Sequence, residues 1–450
     1  MTTQLLRPPE QTETRAGHIG RIVIASLVTG LVGALTLLLV VLPGAGEHIV
    51  TGTTLLAFAF GWAMLAALSA RRTDQPQRWA RVPAASMAAV GTALLVTSPS
   101  DSIIRTLGWI WPPALLILAI WMIRSARRQL HSRTRAWLIH PVCAVLALAA
   151  VGGGTETVLE TMDHGLQAPA GQTYTVDGHQ MYLHCVGTGS PTVLLSNGLG
   201  ERSPSWSWIA TAVAPATRVC VYDRAGQGWS EVASGPQDGV QLASDLHAVL
   251  ASAQIAGPYV LAGHSVGGTY NMIFAARYPS EVAGMVLLDS ATPEQFTALP
   301  NYPGFYSTHQ RFSGLLPTGA RLGLGRIVAA TEFAGLPTQA RDQERSFATA
   351  RDLSGQRDEW SELPTAFNQA KALAGFGAKP LIVITASEGQ DPGWFAAQDK
   401  LVTLSSNSVH RTIHGADHVA LLDDQKFAAY SSTAIDEVVT AARTHTLLQP

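Results

Sequence analysis

A serine between glycines is the first group in this sequence that could do covalent chemistry. Ser265 lies in Gly263–Gly267, which reads Gly-His-Ser-Val-Gly and fits a G-x-S-x-G pattern. The pattern is common in glycine-rich chains, so its context decides. The apolar run Tyr259–Ala262 predicts a strand before the serine, and Gly268–Tyr278 predicts a helix after it. Such a turn lifts the hydroxyl clear of the sheet, beside a helix N-terminus that favours negative charge. Ser265 is therefore predicted to be a nucleophile.

A serine hydroxyl needs a base that removes its proton. Two histidines, His414 and His418, lie downstream in the segment His-Gly-Ala-Asp-His. We favour His418 because it follows a small-residue turn and precedes the apolar residues 419–422, which places it on a loop beyond the last strand. His414 is the alternative.

The imidazole in turn needs a carboxylate that fixes its tautomer and stabilises the imidazolium. Asp289 directly follows the apolar run Gly284–Leu288, so its carboxylate would lie at the carboxyl edge of the sheet. Asp391 lies in the loop after the run Leu381–Thr385. Asp417 is too near the base in sequence to orient it from behind. We favour Asp289 and retain Asp391 as the alternative.

An acyl-transfer site also needs two backbone N–H donors aimed at the developing oxyanion. Val266, directly after the serine, is expected to supply one. The segment Asn197–Gly200 follows the third apolar run, and its glycines allow a close approach to a substrate. We expect the second donor to be Leu199.

Strands and helices alternate through the C-terminal part of the chain. The helical patterns include Val240–Ala253 and Phe427–Arg443, and this alternation predicts a parallel α/β sheet. The stretch 293–377 interrupts this alternation of strands and helices, because it contains several prolines and short helical patterns. We expect it to be a lid over the site. The predicted strands are Tyr174–Val176, Met181–Val186, Thr192–Ser196, Thr217–Tyr222, Tyr259–Ala262, Gly284–Leu288 and Leu381–Thr385.

The first third of the chain is depleted of charge. Charged residues make up 14% of the sequence, against roughly 25% in soluble domains. Stretches without a formal charge, each about as long as the ~20 residues that a membrane span needs, predict five transmembrane helices. They are Ile22–Leu42, Ile49–Ala70, Val82–Ser100, Thr106–Ile123 and Ala136–Thr155. The helices could also have a transport function, but within the spans only His140 is ionisable, so we interpret them as an anchor.

The basic residues between these stretches predict an orientation. Twelve arginines lie in the N-terminal tail and in the loops after the second and fourth stretches, whereas only Arg105 lies in the other short loops. The positive-inside rule then places the N-terminus in the cytoplasm and everything after Thr155 outside it. We divide the chain into a tail (1–20), a five-helix transmembrane domain (21–155), a polar linker (156–171) and a C-terminal domain (172–450). Cys185 and Cys220 lie in two predicted strands of that domain, as a disulfide or as two buried thiols.

From about Gln172 to Arg443 the chain resembles the α/β-hydrolase family. The resemblance implies a mostly parallel eight-stranded sheet with a helical lid and a Ser, acid, His order of catalytic residues. The loop Asn197-Gly198 stands where many relatives have His-Gly, and residues 386–389 lack the usual Gly-x-x-Asp, which is why we place the acid at Asp289, as some relatives do. The matching motifs are Ser196–Gly200, Tyr222–Ser230, Gly263–Gly268, Leu287–Asp289 and Gly415–His418.

In the family's strand order the second and fourth strands are neighbours. The resemblance therefore implies that Cys185 and Cys220 face each other and form a disulfide, which is favoured outside the cytoplasm.

Together these features predict a membrane-anchored serine hydrolase that cleaves small carboxylic esters through an acyl-enzyme on Ser265. The alternatives are an amide or peptide hydrolase of the same fold and a non-catalytic ligand-binding sensor. A serine nucleophile argues against epoxide or haloalkane chemistry, for which relatives use an aspartate. No metal or organic cofactor is implied, and a net charge of −2 indicates no nucleic-acid partner.

Overall fold

The computed structural model describes residues 19–129, 138–163 and 171–449. The chain divides into two compact units, one ending at Gly154 and the other beginning at Thr155. Each unit has a hydrophobic core of its own.

Apolar helices make up the first unit. In the described residues four helical segments are long and apolar enough to cross a membrane, or five if the bent pair α4 and α5 forms one span. The helices are α1 (Ile19–Thr36, continued by a π-helical turn Leu37–Val41), α2 (Glu47–Arg72), α3 (Arg81–Thr97, preceded by a 3₁₀ turn Arg78–Ala80), α4 (Asp101–Leu107), α5 (Trp111–Gln129) and α6 (His140–Asp163).

Two of the predicted spans differ from the structure by more than a few terminal residues. The fourth predicted stretch, 106–123, is not one straight helix, because α4 and α5 meet at a 49° bend beside Pro112 and Pro113. Proline lacks the N–H that a helix interior uses and clashes with the preceding turn, so it begins α5 rather than continuing α4. The last helix runs to Asp163 instead of ending at Thr155, so the first part of the predicted linker 156–171 is helical.

Glycines set the close packing of α1, α2 and α3. A Cβ atom at Gly61 would lie 2.7 Å from the Ser26 carbonyl oxygen, and one at Gly91 would lie 2.7 Å from the Gly52 carbonyl oxygen. Both distances are too short for a Cβ atom. The helix backbones can approach this closely because glycine carries a hydrogen atom in place of a side chain. Small residues of this kind are typical of helix contacts in membranes.

An eight-stranded sheet forms the centre of the second unit, in the order β1-β2-β4-β3-β5-β6-β7-β8. Only the β1–β2 and β2–β4 pairs are antiparallel, which confirms the predicted mostly parallel sheet. The strands are β1 (Gln172–Val176), β2 (His179–Val186), β3 (Thr192–Ser196), β4 (Val219–Tyr222), β5 (Tyr259–His264), β6 (Val282–Leu288), β7 (Leu381–Ala386) and β8 (Ser408–Ile413).

Helices pack against the sheet, and helices also make up most of the segment between β6 and β7, where residues 293–377 are expected to form a lid. That segment contains α10 to α15. The helices of the unit are α7 (Ser207–Val213), α8 (Gly239–Ser252), α9 (Val266–Arg277), α10 (Gln295–Ala298), α11 (Tyr302–Ser313), α12 (Leu315–Arg321), α13 (Leu324–Glu332), α14 (Thr338–Ser346), α15 (Ala350–Ala370), α16 (Trp394–Val402), α17 (Ala420–Asp423) and α18 (Gln425–Thr444).

Cys185 on β2 lies opposite Cys220 on β4, and the two form a disulfide. The pairing that the family resemblance implied is therefore confirmed. Cys143 in α6 is buried and free. A bond across 35 residues of sequence ties the antiparallel end of the sheet to its parallel part.

Replacing both disulfide cysteines by alanine should destabilise the second unit. The unfolded chain gains the freedom of the opened loop, which for this length corresponds to about 3–4 kcal/mol. The measurement is the thermal unfolding midpoint of the purified full chain, with Cys143→Ala as the control that removes a cysteine but no cross-link. An unchanged midpoint in the double variant would contradict this expectation.

Candidate active site

Ser265 lies at the turn between β5 and α9, where its backbone has φ 54° and ψ −126°. A non-glycine residue rarely adopts such a positive φ, and strain of this kind is typical of functional turns. The neighbouring glycines make the turn possible: a Cβ atom at Gly267 would overlap the Ser196 carbonyl oxygen, and one at Gly263 would lie 2.5 Å from Asn271 Nδ2. The turn therefore sits tightly against β3 with its hydroxyl at the carboxyl edge of the sheet.

The structure brings His418 and Asp289 together at the same edge. His418 follows β8, and its Nδ1 lies 2.6 Å from Oδ2 of Asp289, which directly follows β6. Asp289 is fully buried, whereas the His418 side chain is 41% exposed. With Nδ1 donating to the carboxylate, Nε2 is the ring nitrogen left to exchange a proton with the serine hydroxyl or a substrate.

Three further donors surround the Asp289 carboxylate. Trp394 Nε1 lies 2.8 Å from Oδ1, the Ala386 amide 3.2 Å from Oδ1, and Gln390 Nε2 3.1 Å from Oδ2. Burial raises the pKa of Asp289, but the hydrogen bonds from His418 and Trp394 and the charge of His418 outweigh it and hold the pKa below its usual range. The carboxylate is therefore ionised and able to fix the imidazole.

The alternative candidates lie elsewhere. Asp391 and His414 are exposed, and neither contacts the Asp289–His418 pair through a hydrogen bond in the described residues. Asp417 is also exposed, and its Oδ1 accepts the amide of Ala420, the first residue of the short helix α17, at 2.9 Å. The geometry therefore favours Asp289 as the acid and His418 as the base.

Residues Asn197–Gly200, which we call the oxyanion loop, are held by a buried arginine. Arg224 donates from Nη1 to the Asn197 carbonyl at 2.6 Å and from Nη2 to the Gly198 carbonyl at 2.8 Å. In the part of the chain that the structure describes, the N–H groups of Leu199 and Val266 donate to no protein acceptor. The arrangement can therefore present two free donors to a developing oxyanion.

The asparagine that stands where many relatives have histidine has a structural role. Asn197 accepts from Trp206 Nε1 at 2.8 Å and donates from Nδ2 to the Tyr222 carbonyl at 2.9 Å. These two bonds anchor the start of the oxyanion loop between the end of β4 and the turn before α7.

Buried ion pairs connect α14 and α15 to the loops that follow β3 and β4. Arg224 pairs with Glu359 of α15 at 2.8 Å, and Arg202 lies 3.6 Å from Glu344 of α14. Burial raises the pKa of Glu344 to about 7, against the opposing charge of Arg202. Arg224 and Glu359 lie 135 residues apart, and nothing in the sequence signalled their contact.

Among the described residues, no group of three or more His, Cys, Asp or Glu side chains is arranged to hold a metal ion. The chemistry that this edge of the sheet can perform is nucleophilic attack by a serine with a histidine base, a buried carboxylate and two backbone donors.

Comparison with known proteins identifies the fold. Residues 191–425 match the model of the alpha/beta hydrolase fold family, so the chain belongs to that family. Among solved structures, haloalkane dehalogenase DbeA from Bradyrhizobium elkani has a TM-score of 0.51 at 18% identity, covering 62% of this chain and 99% of that one. Cfl2 from Burkholderia cenocepacia has a TM-score of 0.50 at 22% identity, covering 59% and 94%. At such identities the similarity concerns the fold alone.

Curated relatives match only part of their length. An uncharacterised protein of Schizosaccharomyces pombe is 33% identical over 165 residues, which are 30% of this chain and 31% of that protein. The putative carbamate hydrolase RutD of Azorhizobium caulinodans is 33% identical over 109 residues, 24% of this chain and 40% of that protein. The chain spans about a third to a half of the first curated relatives that it matches.

Asp289→Asn should slow the reaction of Ser265 with a fluorophosphonate probe by a factor on the order of 10³–10⁴. The amide keeps the shape of the side chain but no longer fixes the tautomer or stabilises the imidazolium. Asp391→Asn is the matched control and should react like the wild type. The measurement is the second-order rate constant of labelling, and a large loss in the Asp391 variant instead would assign the acid to the other loop.

Proposed function

We propose that the second unit is a serine hydrolase that cleaves carboxylic esters. The observation that carries the proposal is the buried, ionised Asp289 bonded to His418 Nδ1 at the edge where Ser265 is held in a strained turn. A carboxylate that is fully buried costs free energy unless its partners are fixed, and sites built in this way are typical of catalysis.

The proposed reaction runs through an acyl-enzyme. Ser265 Oγ attacks the ester carbonyl carbon while His418 Nε2 takes the hydroxyl proton, and the N–H groups of Leu199 and Val266 donate to the oxyanion. The carbon–oxygen bond to the alcohol breaks, and His418 returns the proton to the departing alkoxide. Water then attacks the acyl group with the same base, which releases the acid and restores Ser265.

Other acyl substrates and other roles compete with this proposal. Amides and peptides would pass through the same steps with an amine as the leaving group. The putative carbamate hydrolase RutD is similar to this chain over 109 residues, so carbamates belong in the same screen. A ligand-binding sensor needs no histidine base with a buried carboxylate as its partner, so the Asp289–His418 pair favours an enzyme. A serine nucleophile argues against the haloalkane chemistry named for DbeA.

Ser265→Ala should abolish both covalent labelling by a fluorophosphonate probe and hydrolysis of short-chain nitrophenyl esters. The expected loss is at least 10³-fold, because no other group replaces the attacking oxygen. Ser307→Ala, an exposed serine on α11, is the matched control and should label and hydrolyse normally. A folded wild-type protein that neither reacts with the probe nor hydrolyses esters or amides would contradict the assignment of Ser265 as the nucleophile and favour the sensor.

We also propose that the first unit anchors the enzyme in a membrane with the hydrolase outside the cytoplasm. The apolar helices support the anchor, and the arginine-rich ends of α2 and α5 support a cytoplasmic N-terminus. The number of membrane crossings decides on which side of the membrane the second unit lies. Five crossings put the second unit opposite the N-terminus, and four would put it on the same side. The disulfide favours five, since such bonds persist in oxidising compartments.

A membrane-impermeant maleimide distinguishes the two arrangements. Val232→Cys adds a thiol on an exposed loop of the hydrolase unit, and Arg72→Cys adds one at the end of α2. The wild type gives a low background because Cys143 is buried and the other two cysteines are bonded. We expect the Val232 variant to label in intact cells and the Arg72 variant only after permeabilisation. The reverse pattern would contradict the proposed orientation.

A further inference from the structure

His264, directly before the nucleophile, has an acceptor at each ring nitrogen. Nδ1 lies 2.5 Å from Oε1 of Glu201, and Nε2 lies 2.8 Å from the backbone carbonyl oxygen of His418. The side chain is fully buried, so solvent does not supply alternative partners. No signal in the sequence indicates a role for Glu201 or His264.

Two acceptors determine the charge of this ring. A neutral imidazole carries one N–H, so it can donate to only one of them, and the other nitrogen would face an oxygen lone pair without a proton. With Glu201 as a carboxylate, both contacts are satisfied only when both nitrogens are protonated. The His264 ring is then an imidazolium, with Glu201 as its counter-ion.

The electrostatic surroundings agree with this assignment. Burial lowers the pKa of His264, but the charge and hydrogen bond of Glu201 outweigh it and raise the pKa above its usual range. Burial likewise raises the pKa of Glu201, and His264 and the Gly198 amide together bring it below its usual range. A buried ion pair is retained only when good geometry and further hydrogen bonds offset its desolvation.

The pair connects three parts of the site. The second carboxylate oxygen of Glu201 accepts the Gly198 amide at 2.5 Å, within the oxyanion loop. His264 ends β5 directly before Ser265, and its other nitrogen donates to the backbone of His418. The rings of His264 and His418 are 4.5 Å apart between centroids. One charged pair therefore touches the loop of the oxyanion donors, the nucleophile turn and the base.

We propose that the buried Glu201–His264 ion pair is a positioning pair, which fixes the oxyanion loop and the His418 backbone relative to each other on either side of Ser265. This proposal rests on the proposed serine hydrolase. Neither residue touches the reacting atoms, so the pair acts through the placement of the N–H donors and of the base.

Kinetics of Glu201→Ala and His264→Gln test the proposal in the full chain. The alanine at 201 leaves the Gly198 amide and the His264 ring without their acceptor, whereas a glutamine could keep both contacts by donating an amide N–H to an unprotonated Nδ1. We expect kcat to fall by about 10²–10³-fold, the usual effect of losing an oxyanion donor, with KM changed less than about threefold. Glu201→Asp keeps the charge and should recover kcat to within about tenfold of the wild type.

A surface pair provides the matched control. His247 and Glu281 form a His–carboxylate contact at 3.0 Å whose side chains are 37% and 34% exposed. His247→Gln and Glu281→Ala should leave kcat and KM unchanged. The concentration of active sites is measured by fluorophosphonate titration in every variant. A smaller folded fraction is then not mistaken for a lower kcat.

The outcomes separate the two proposals. A lower unfolding temperature with unchanged kcat per titrated site would mean that the pair is only structural, and it would overturn the positioning role while leaving the serine hydrolase intact. A wild type that neither labels nor turns over esters would instead overturn the proposed function. If the variants fail to fold, the ¹⁵N resonances of histidine in the wild type decide. Two protonated ring nitrogens at His264 support the pair, and one protonated nitrogen overturns it.

Discussion

The turn at Ser265 depends on the close approach of three segments, and glycines make that approach possible. A Cβ atom at Gly267 would overlap the Ser196 carbonyl oxygen on β3, and one at Gly268 would overlap the Ser290 hydroxyl after β6. The serine therefore lies where the carboxyl ends of β3, β5 and β6 meet. Because these strands are parallel neighbours, the loops that follow them share one edge of the sheet. The oxyanion loop and Asp289 reach Ser265 for that reason.

Charge is buried around this turn, and most of it is paired. Asp289 is held by His418 and Trp394, Glu201 by His264 and Gly198, and Arg224 by Glu359 and the oxyanion loop. Each isolated ion would be costly in such surroundings, and each pair needs fixed partners to offset its desolvation. Fixed dipoles and charges that need no rearrangement during reaction are what acyl-transfer catalysis requires. Arg224 also joins α15 to the oxyanion loop, because it pairs with Glu359 and donates to the Gly198 carbonyl.

Several elements could be predicted from the sequence because their physical signals are local. The buried strands are short apolar runs, and the turn at Ser265 has its strand, glycines and helix in continuous sequence. The edge strand β8 was missed among the predicted runs, since Ser-Val-His-Arg-Thr-Ile pairs on one side only and remains half-exposed. The bend between α4 and α5 and the extra length of α6 also escaped prediction.

Contacts between distant segments were harder to foresee. Asp289 could be preferred over Asp391 because it directly ends an apolar run, yet the donors that hold it, Trp394 and Gln390, have no sequence signature. The same is true of Glu201, which lies 63 residues before its partner His264. A polar residue after a strand is visible in a sequence, but the group that it faces depends on the sheet order. The disulfide became predictable only when the family resemblance supplied that order.

The central claim is that Ser265 forms an acyl-enzyme with His418 as its base. Rapid chemical quenching of the full chain during turnover of an activated ester, followed by peptide mass spectrometry, tests it directly. The account predicts an acyl adduct on the peptide that contains Ser265, formed faster than one turnover and removed by water or hydroxylamine. Turnover without an adduct, or with the adduct on another residue, would contradict it.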